Sequence, residues 1–272
     1  MNFGCHGLKL KMHHEASQFW NRAGLWCLAS ILTGCVLLLL FRWFPQIDFA
    51  ASNLFFSQVD CPQPAEGKRC GDFLWASDSF WNFMRETGFH LPRLMMAGVV
   101  IYSCWMLMFN KDKSEAELKV LSVTILSALL GPLLIVNLVL KEFWGRPRPD
   151  DTQFFGGEFP YVPPGDISSF CESNCSFVSG EASAAFWILV LALLLHQRHR
   201  AGFLVVASVV AVGISLLRVG FGRHFISDVV IAAVIVIACI TFSAWLVQTA
   251  WASRRIAAFT QFSNDRAFGT RR

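Results

Sequence analysis

Apolar residues in this chain gather into long runs, and polar residues are confined to the stretches between them. A search for stretches of about 17 to 25 mostly apolar residues, the length that crosses a hydrocarbon core of about 30 Å, returns six. They fall at roughly 23–41, 91–109, 118–140, 182–196, 201–219 and 227–250. Lipid leaves only helices or closed barrels to span it, and ten-residue segments of alternating polarity are absent, so the runs predict helices. The first run is longer than the apolar core of a secretion signal and lacks a small-residue cleavage site, which reads as a retained anchor. With no internal repeat and no glycine-rich linker, residues 1–272 read as one domain. The expected fold is all-α: a polytopic membrane protein with six transmembrane helices.

Composition agrees, since 54% of residues are apolar and 15% charged, which excludes an ordinary soluble domain. The distribution of Lys and Arg favours a cytoplasmic N-terminus once the cations discussed below are set aside. Residues 1–22 and 251–272 are then cytoplasmic tails, and 44–90 and 141–181 are long outer loops. The first loop, with FPQIDFAASNLFF and FLWASDSFWNFMRETGF, predicts short interfacial helices anchored by aromatic rings. In the second, PYVPPGD excludes regular helix. Short inner connections near 110–117 and 197–200 make helices 2 and 3, and helices 4 and 5, antiparallel neighbours. A net charge of +4 gives no case for nucleic acid, and the C-terminal arginines read as a basic tail near anionic lipid. Cys61, Cys70, Cys171 and Cys175 lie in the outer loops, where an oxidising compartment allows two local disulfides or a crossed pairing. A zinc site is the competitor, but the spacing is not that of a zinc ribbon. His6, His13 and His14 make no helix-spaced metal site, and neither metal nor cofactor is expected.

Three charged clusters bear on chemistry. KEFWGRPRPDD, Lys141 to Asp151, crowds cations where the third run should leave the membrane; any one of them alone would read as snorkelling to headgroups. CSFVSGEAS opens the fourth run with Ser179, Gly180 and Glu181, and a small-residue turn at a helix start offers free N–H groups to an anion or simply a cap. RVGFGRHFISD, Arg218 to Asp228, sets His224 and Asp228 four residues apart on one helical face, where a carboxylate can fix an imidazole tautomer. In an alternating topology all three clusters lie on one membrane face. Lys141, Arg148 and Arg218 would supply cations, Ser179 and Gly180 neutral donors, and His224 with Asp228 an oriented nucleophile. That set suits a phosphorus centre with charge spread over its oxygens.

These residues resemble the three-part signature of the type-2 phosphatidic acid phosphatase superfamily, K-x6-R-P, P-S-G-H and S-R-x5-H-x3-D. Lys141 to Pro149 matches the first part, and Arg218, His224 and Asp228 match the third with Leu217 in place of Ser. The second part departs, with Val178 for Pro and Glu181 for His. The resemblance implies metal-free hydrolysis through a phosphohistidine. His224 would attack, Asp228 would orient it, and Lys141, Arg148, Ser179, Gly180 and Arg218 would hold the phosphoryl oxygens. Glu181 would protonate the leaving group, bind a hydroxyl of it, or cap the helix.

CSFVSGEAS and FWNFMRETGF are also similar to the bacterial lipid A phosphatases of this superfamily. That implies removal of the 1- or 4'-phosphate on the periplasmic face of the inner membrane. Undecaprenyl diphosphate, phosphatidylglycerol phosphate and phosphatidic acid stay open as substrates, as does transfer to a second lipid instead of water. A non-catalytic lipid carrier would use the cations but not the Arg, His and Asp set. Oligomeric state is not legible.

Overall fold

The computed structural model describes residues 4–59, 70–110 and 114–249 together with residues 254, 258 and 261, and side chains from residue 20 onward. The expected C-terminal tail, 251–272, thus lies almost wholly outside the described residues. Among the described residues, the fold rests on seven helices. Helix α1 (Gly4–Trp43) runs unbroken from the first described residue, so most of the expected N-terminal tail is helical backbone. A short α2 (Gln46–Asn53) follows Pro45, and a hairpin of β1 (Phe56–Val59) and β2 (Cys70–Phe73) pairs Phe56 with Phe73. Then come α3 (Ser79–Phe109), α4 (Glu115–Phe143), α5 (Gly180–Leu194), α6 (Gln197–Gly220) and α7 (Ile226–Gln248).

Among the described residues, five segments are long and apolar enough to cross a membrane: Trp20–Trp43, α3, α4, α6 and α7. The run expected at 182–196 corresponds to α5, whose fifteen residues, Gly180–Trp187 as α-helix and Ile188–Leu194 as 3-10 helix, are fewer than that length requires. The expected second span grows instead. It starts at Ser79, because Asp78 accepts from the amides of Phe80 and Trp81 and caps the helix well inside the expected loop. FWNFMRETGF is therefore part of α3 and not a separate interfacial helix. At the start of the next helix, α4, Ser114 and Glu117 form a reciprocal capping box.

Small residues let the helices approach. The last helix, α7, packs along α1 and against α4 and α5, with Ala23, Val123, Ala128, Val236 and Ala244 at the contact. Trp187 is fully buried there, and its indole N–H donates to Ser127 Oγ at 3.0 Å. Outward, α1, α3 and α6 present Leu32, Val36, Ile101, Trp105, Val205 and Val209, an apolar exterior that suits lipid and not water.

One end of the bundle is closed by aromatic rings. Phe56, Phe73, Phe155 and Phe225 form a buried cluster, joined by Phe49 and Tyr161. Trp75 stacks on Trp81 at 4.1 Å and lies over Gly220, where a Cβ would come within 2.1 Å of its ring. The described parts of the segments 44–90 and 141–181 therefore pack onto the bundle, and α2 buries Asp48 and Ser52. Cys171 and Cys175 form a local disulfide, one of the expected pairings. Cys70 is also disulfide-bonded, whereas Cys61 lies outside the described residues.

Candidate active site

The three charged clusters meet at this closed end. In α4, Pro132 has no N–H to give, and residues Leu129–Leu140 adopt the wider π-helical turn. Asn137 Nδ2 donates to the Pro132 carbonyl across that turn at 2.5 Å. Lys141 follows, 7% exposed, and its ammonium donates to Asn174 Oδ1 at 2.9 Å. At Gly145 the backbone turns through φ +67°, and a Cβ there would strike the Ser168 carbonyl at 1.7 Å, so the reversal needs glycine. Beyond it, Arg148 reaches the Asn174 carbonyl at 2.8 Å. Lys141 and Arg148 thus share one anchoring residue.

Ser179 caps α5, its Oγ accepting from the Ala182 amide at 3.3 Å, and its own amide donates to the Asp228 carbonyl at 3.3 Å. Gly180 lies against Lys141: a Cβ would sit 2.8 Å from Asn137 Oδ1 and 3.3 Å from Lys141 Cε. Gly180→Ala should displace Asn137, crowd Lys141 and lower kcat/KM by roughly 10-fold, the order of effect expected when a positioned charge is misplaced. An unchanged kcat/KM for the folded variant would show that Lys141 has room to spare.

The spacing from Arg218 to His224 follows from how α6 ends. Gly222 takes φ +64° and its amide returns to the Val219 carbonyl, while the amides of Arg223 and His224 both donate to the Arg218 carbonyl, at 3.0 and 3.3 Å. His224 is 1% exposed. Its Nδ1 lies 2.7 Å from the Ser176 carbonyl, which can only accept, so Nδ1 carries the proton and Nε2 holds the lone pair. Asp228 comes to 3.8 Å from Nδ1, too far for a hydrogen bond. Instead it accepts from Ser176 Oγ at 2.6 Å, from the Phe225 amide at 2.9 Å and from Arg146. The carboxylate therefore reaches the imidazole through Ser176. Burial, then the charges of Arg218 and Lys141, hold the imidazole well below its ordinary value of 6.5.

A cavity of about 270 Å³ adjoins these groups, lined by Lys141, Arg148 and Arg218 together with Arg85, Arg93 and Arg223. Glu181 is the carboxylate in its wall, 3% exposed, with Oε2 2.5 Å from Arg218 Nε and Oε1 3.6 Å from Arg93. The Arg218 contact is an ion pair without hydrogen-bond alignment, and Arg218 NH1 has no protein partner. His224, Ser179 and Gly180 do not form the wall itself. Two larger cavities, of about 340 and 410 Å³, have mainly apolar walls and hold no such group of cations.

Several of these residues escaped the sequence reading. Arg85 and Arg93 sit eight residues apart on α3 with Phe89 between, a one-face spacing legible in FWNFMRETGFHLPR only if that stretch is taken as helix. Each stays near an aromatic ring, Arg93 3.7 Å from the centre of Phe89 and Arg85 5.6 Å from that of Phe221. Arg223, in the third cluster, pairs with Asp150 at 2.7 Å. Arg146, grouped with snorkelling cations, is instead fully buried. Asn174 and Ser176 carried no signal beyond lying in a cysteine-flanked loop.

The PAP2 superfamily model matches residues 116–252. A lipid A 4'-phosphatase of Rhizobium leguminosarum is 37% identical over 205 residues, covering 72% of this chain and 84% of its own. One from Rhizobium etli is 37% identical over 207 residues, covering 72% and 77%. A third, from Francisella tularensis subsp. novicida, is 32% identical over 208 residues, covering 76% and 87%. No solved structure matches the chain. With half the chain matched by the family model and relatives aligned over most of their own length, this protein belongs to the PAP2 superfamily.

Proposed function

We propose that this membrane phosphatase removes the 4'-phosphate of lipid A through a phosphohistidine on His224, at the periplasmic face of a bacterial inner membrane. The observation that carries the mechanism is the bond between His224 Nδ1 and the Ser176 carbonyl, which leaves the Nε2 lone pair free on a ring that feels the charges of Arg218, Lys141 and Arg148. The three relatives named above favour lipid A and the 4' position.

In the first step Nε2 attacks phosphorus while the bond to the sugar oxygen breaks. Lys141, Arg148 and Arg218 offset the charge on the non-bridging oxygens, and Arg218 NH1, free of protein partners, is a donor for one of them. The imidazole becomes cationic as it is phosphorylated, and the Ser176 carbonyl and nearby Asp228 favour that charge. The departing sugar alkoxide takes a proton from water. In the second step the hydroxide left by that proton transfer attacks phosphorus and the P–N bond breaks, releasing hydrogen phosphate and restoring neutral His224. Because the free imidazole is held below 6.5, the acid limb of kcat/KM from this group should lie below that value. A limb at or above 6.5 that coincides with the His224 titration followed by NMR would contradict the electrostatics described.

Glu181 fits an anchoring role better than an acid role, since both of its oxygens face guanidiniums. Glu181→Gln should therefore lower kcat/KM equally for lipid A and for a phosphate ester with a much better leaving group. Loss confined to the poor leaving group would restore the acid role.

For the membrane, α5 is proposed as the sixth span. Its 3-10 half stretches fifteen residues to roughly 26 Å, where α-helix alone would give about 22 Å, and local bilayer thinning covers the remainder. The Cys171–Cys175 disulfide flanks Asn174 beside the cavity and favours an oxidising compartment on that side. Phosphate release from lipid A by the purified protein with EDTA present tests the reading. Release that EDTA spares and His224→Ala abolishes is expected, and a doubly phosphorylated lipid product would mark a phosphotransferase instead.

A further inference from the structure

We infer that Asp48, on α2 and outside the span matched by the family model, is a positioning residue for His224 that acts by sharing Arg146 with Asp228. The inference rests on His224 as nucleophile. Arg146 places all five of its N–H groups: Nε on the Val162 carbonyl at 2.8 Å, NH1 on Ser227 Oγ at 2.9 Å and on Asp228, NH2 on Asp48 at 2.8 Å and Tyr161 at 3.2 Å. Its guanidinium lies 4.5 Å from the centre of the Phe225 ring. Arg146, Asp48 and Asp228 are each fully buried.

The charge count gives Asp48 its role. One guanidinium faces two carboxylates, so the ionised cluster keeps one negative charge in excess. That excess sits beside an imidazole that must turn cationic when it takes the phosphoryl group, and at short range in a low-dielectric site the attraction is strong. Without Asp48, Arg146 would belong to Asp228 alone and cancel its charge. Asp48 also fixes where Asp228 stands, because it accepts from the Ser227 amide at 2.9 Å and from Ser227 Oγ at 2.7 Å, in the first turn of the helix that carries Asp228. Helix α2 thereby ties the start of α7 to the loop bearing Arg146. None of these groups lines the phosphate cavity, so substrate affinity should be spared.

The test is Asp48→Asn in the full-length protein in detergent, with kcat, KM for lipid A and the quenched phosphoenzyme level measured beside Asp48→Glu and His224→Ala. We expect kcat to fall roughly 10- to 100-fold, the loss typical of an outer-shell partner, with KM within about 2-fold and slower phosphoenzyme formation. Asp48→Glu, which restores the charge, should recover part of kcat. Folded Asp48→Asn with native kcat, kcat and KM moving together, or Asp48→Glu no better than Asp48→Asn would each overturn the inference. If Asp48→Asn does not fold, Ser227→Ala decides. It removes the hydroxyl between Arg146 NH1 and Asp48, so a several-fold loss in kcat alone is expected and native kcat is fatal. Activity surviving in His224→Ala would instead sink the underlying reading.

Discussion

His224→Ala should reduce phosphate release from lipid A by on the order of 10⁴-fold or more while leaving the protein folded, because it deletes the nucleophile and not a binding contact. The side chain makes a hydrogen bond to the Ser176 carbonyl and lies in a loop between α6 and α7, so its loss leaves the helix contacts intact. Lys141, Arg148 and Arg218 would still gather phosphate, and the variant should bind lipid A with nearly native affinity. Turnover and equilibrium binding, measured on the same preparation, separate the two effects. A variant that binds and still turns over at more than a small fraction of the native rate would mean that water attacks phosphorus directly.

Arg146→Ala should be the most destabilising single change at this end of the protein. Removing one partner from a buried ion pair costs about 3–5 kcal/mol, because the partner charge is stranded, and here two carboxylates would be stranded together. Asp48 and Asp228 would lose their shared donor, and the Val162 carbonyl and Ser227 would lose partners as well. Thermal unfolding in a mild detergent should show a sharply lower Tm or no folded protein. Equal Tm values for Arg146→Ala and the native protein would mean that the cluster contributes far less than its burial implies.

How much of this was legible in the sequence varies by element. The long apolar runs gave the helices of α1, α4, α6 and α7 nearly in place, since lipid imposes one simple length rule. That rule fell short where a local cap decided the outcome, since α3 extends back to Ser79 under Asp78. In the candidate site, Lys141, Arg148, Arg218 and Glu181 all reach one cavity, as the ordered motifs suggested. The partnership of His224 was misjudged, because helical spacing predicts proximity to Asp228 but not the competing Ser176 carbonyl. Arg146 and Asp48 were illegible, since nearly a hundred residues separate them and only the folded chain shows that each satisfies the other.

The central claim is that His224 carries the phosphoryl group on Nε2. Protein mixed with lipid A bearing a labelled 4'-phosphate should be quenched in alkali during turnover, digested and mapped by mass spectrometry and ³¹P NMR. The predicted result is one labelled peptide carrying the phosphate on Nε2 of His224, absent from His224→Ala. Phosphate on Nδ1 would contradict the tautomer set by Ser176, and turnover with no labelled histidine at any time point would contradict the covalent mechanism itself.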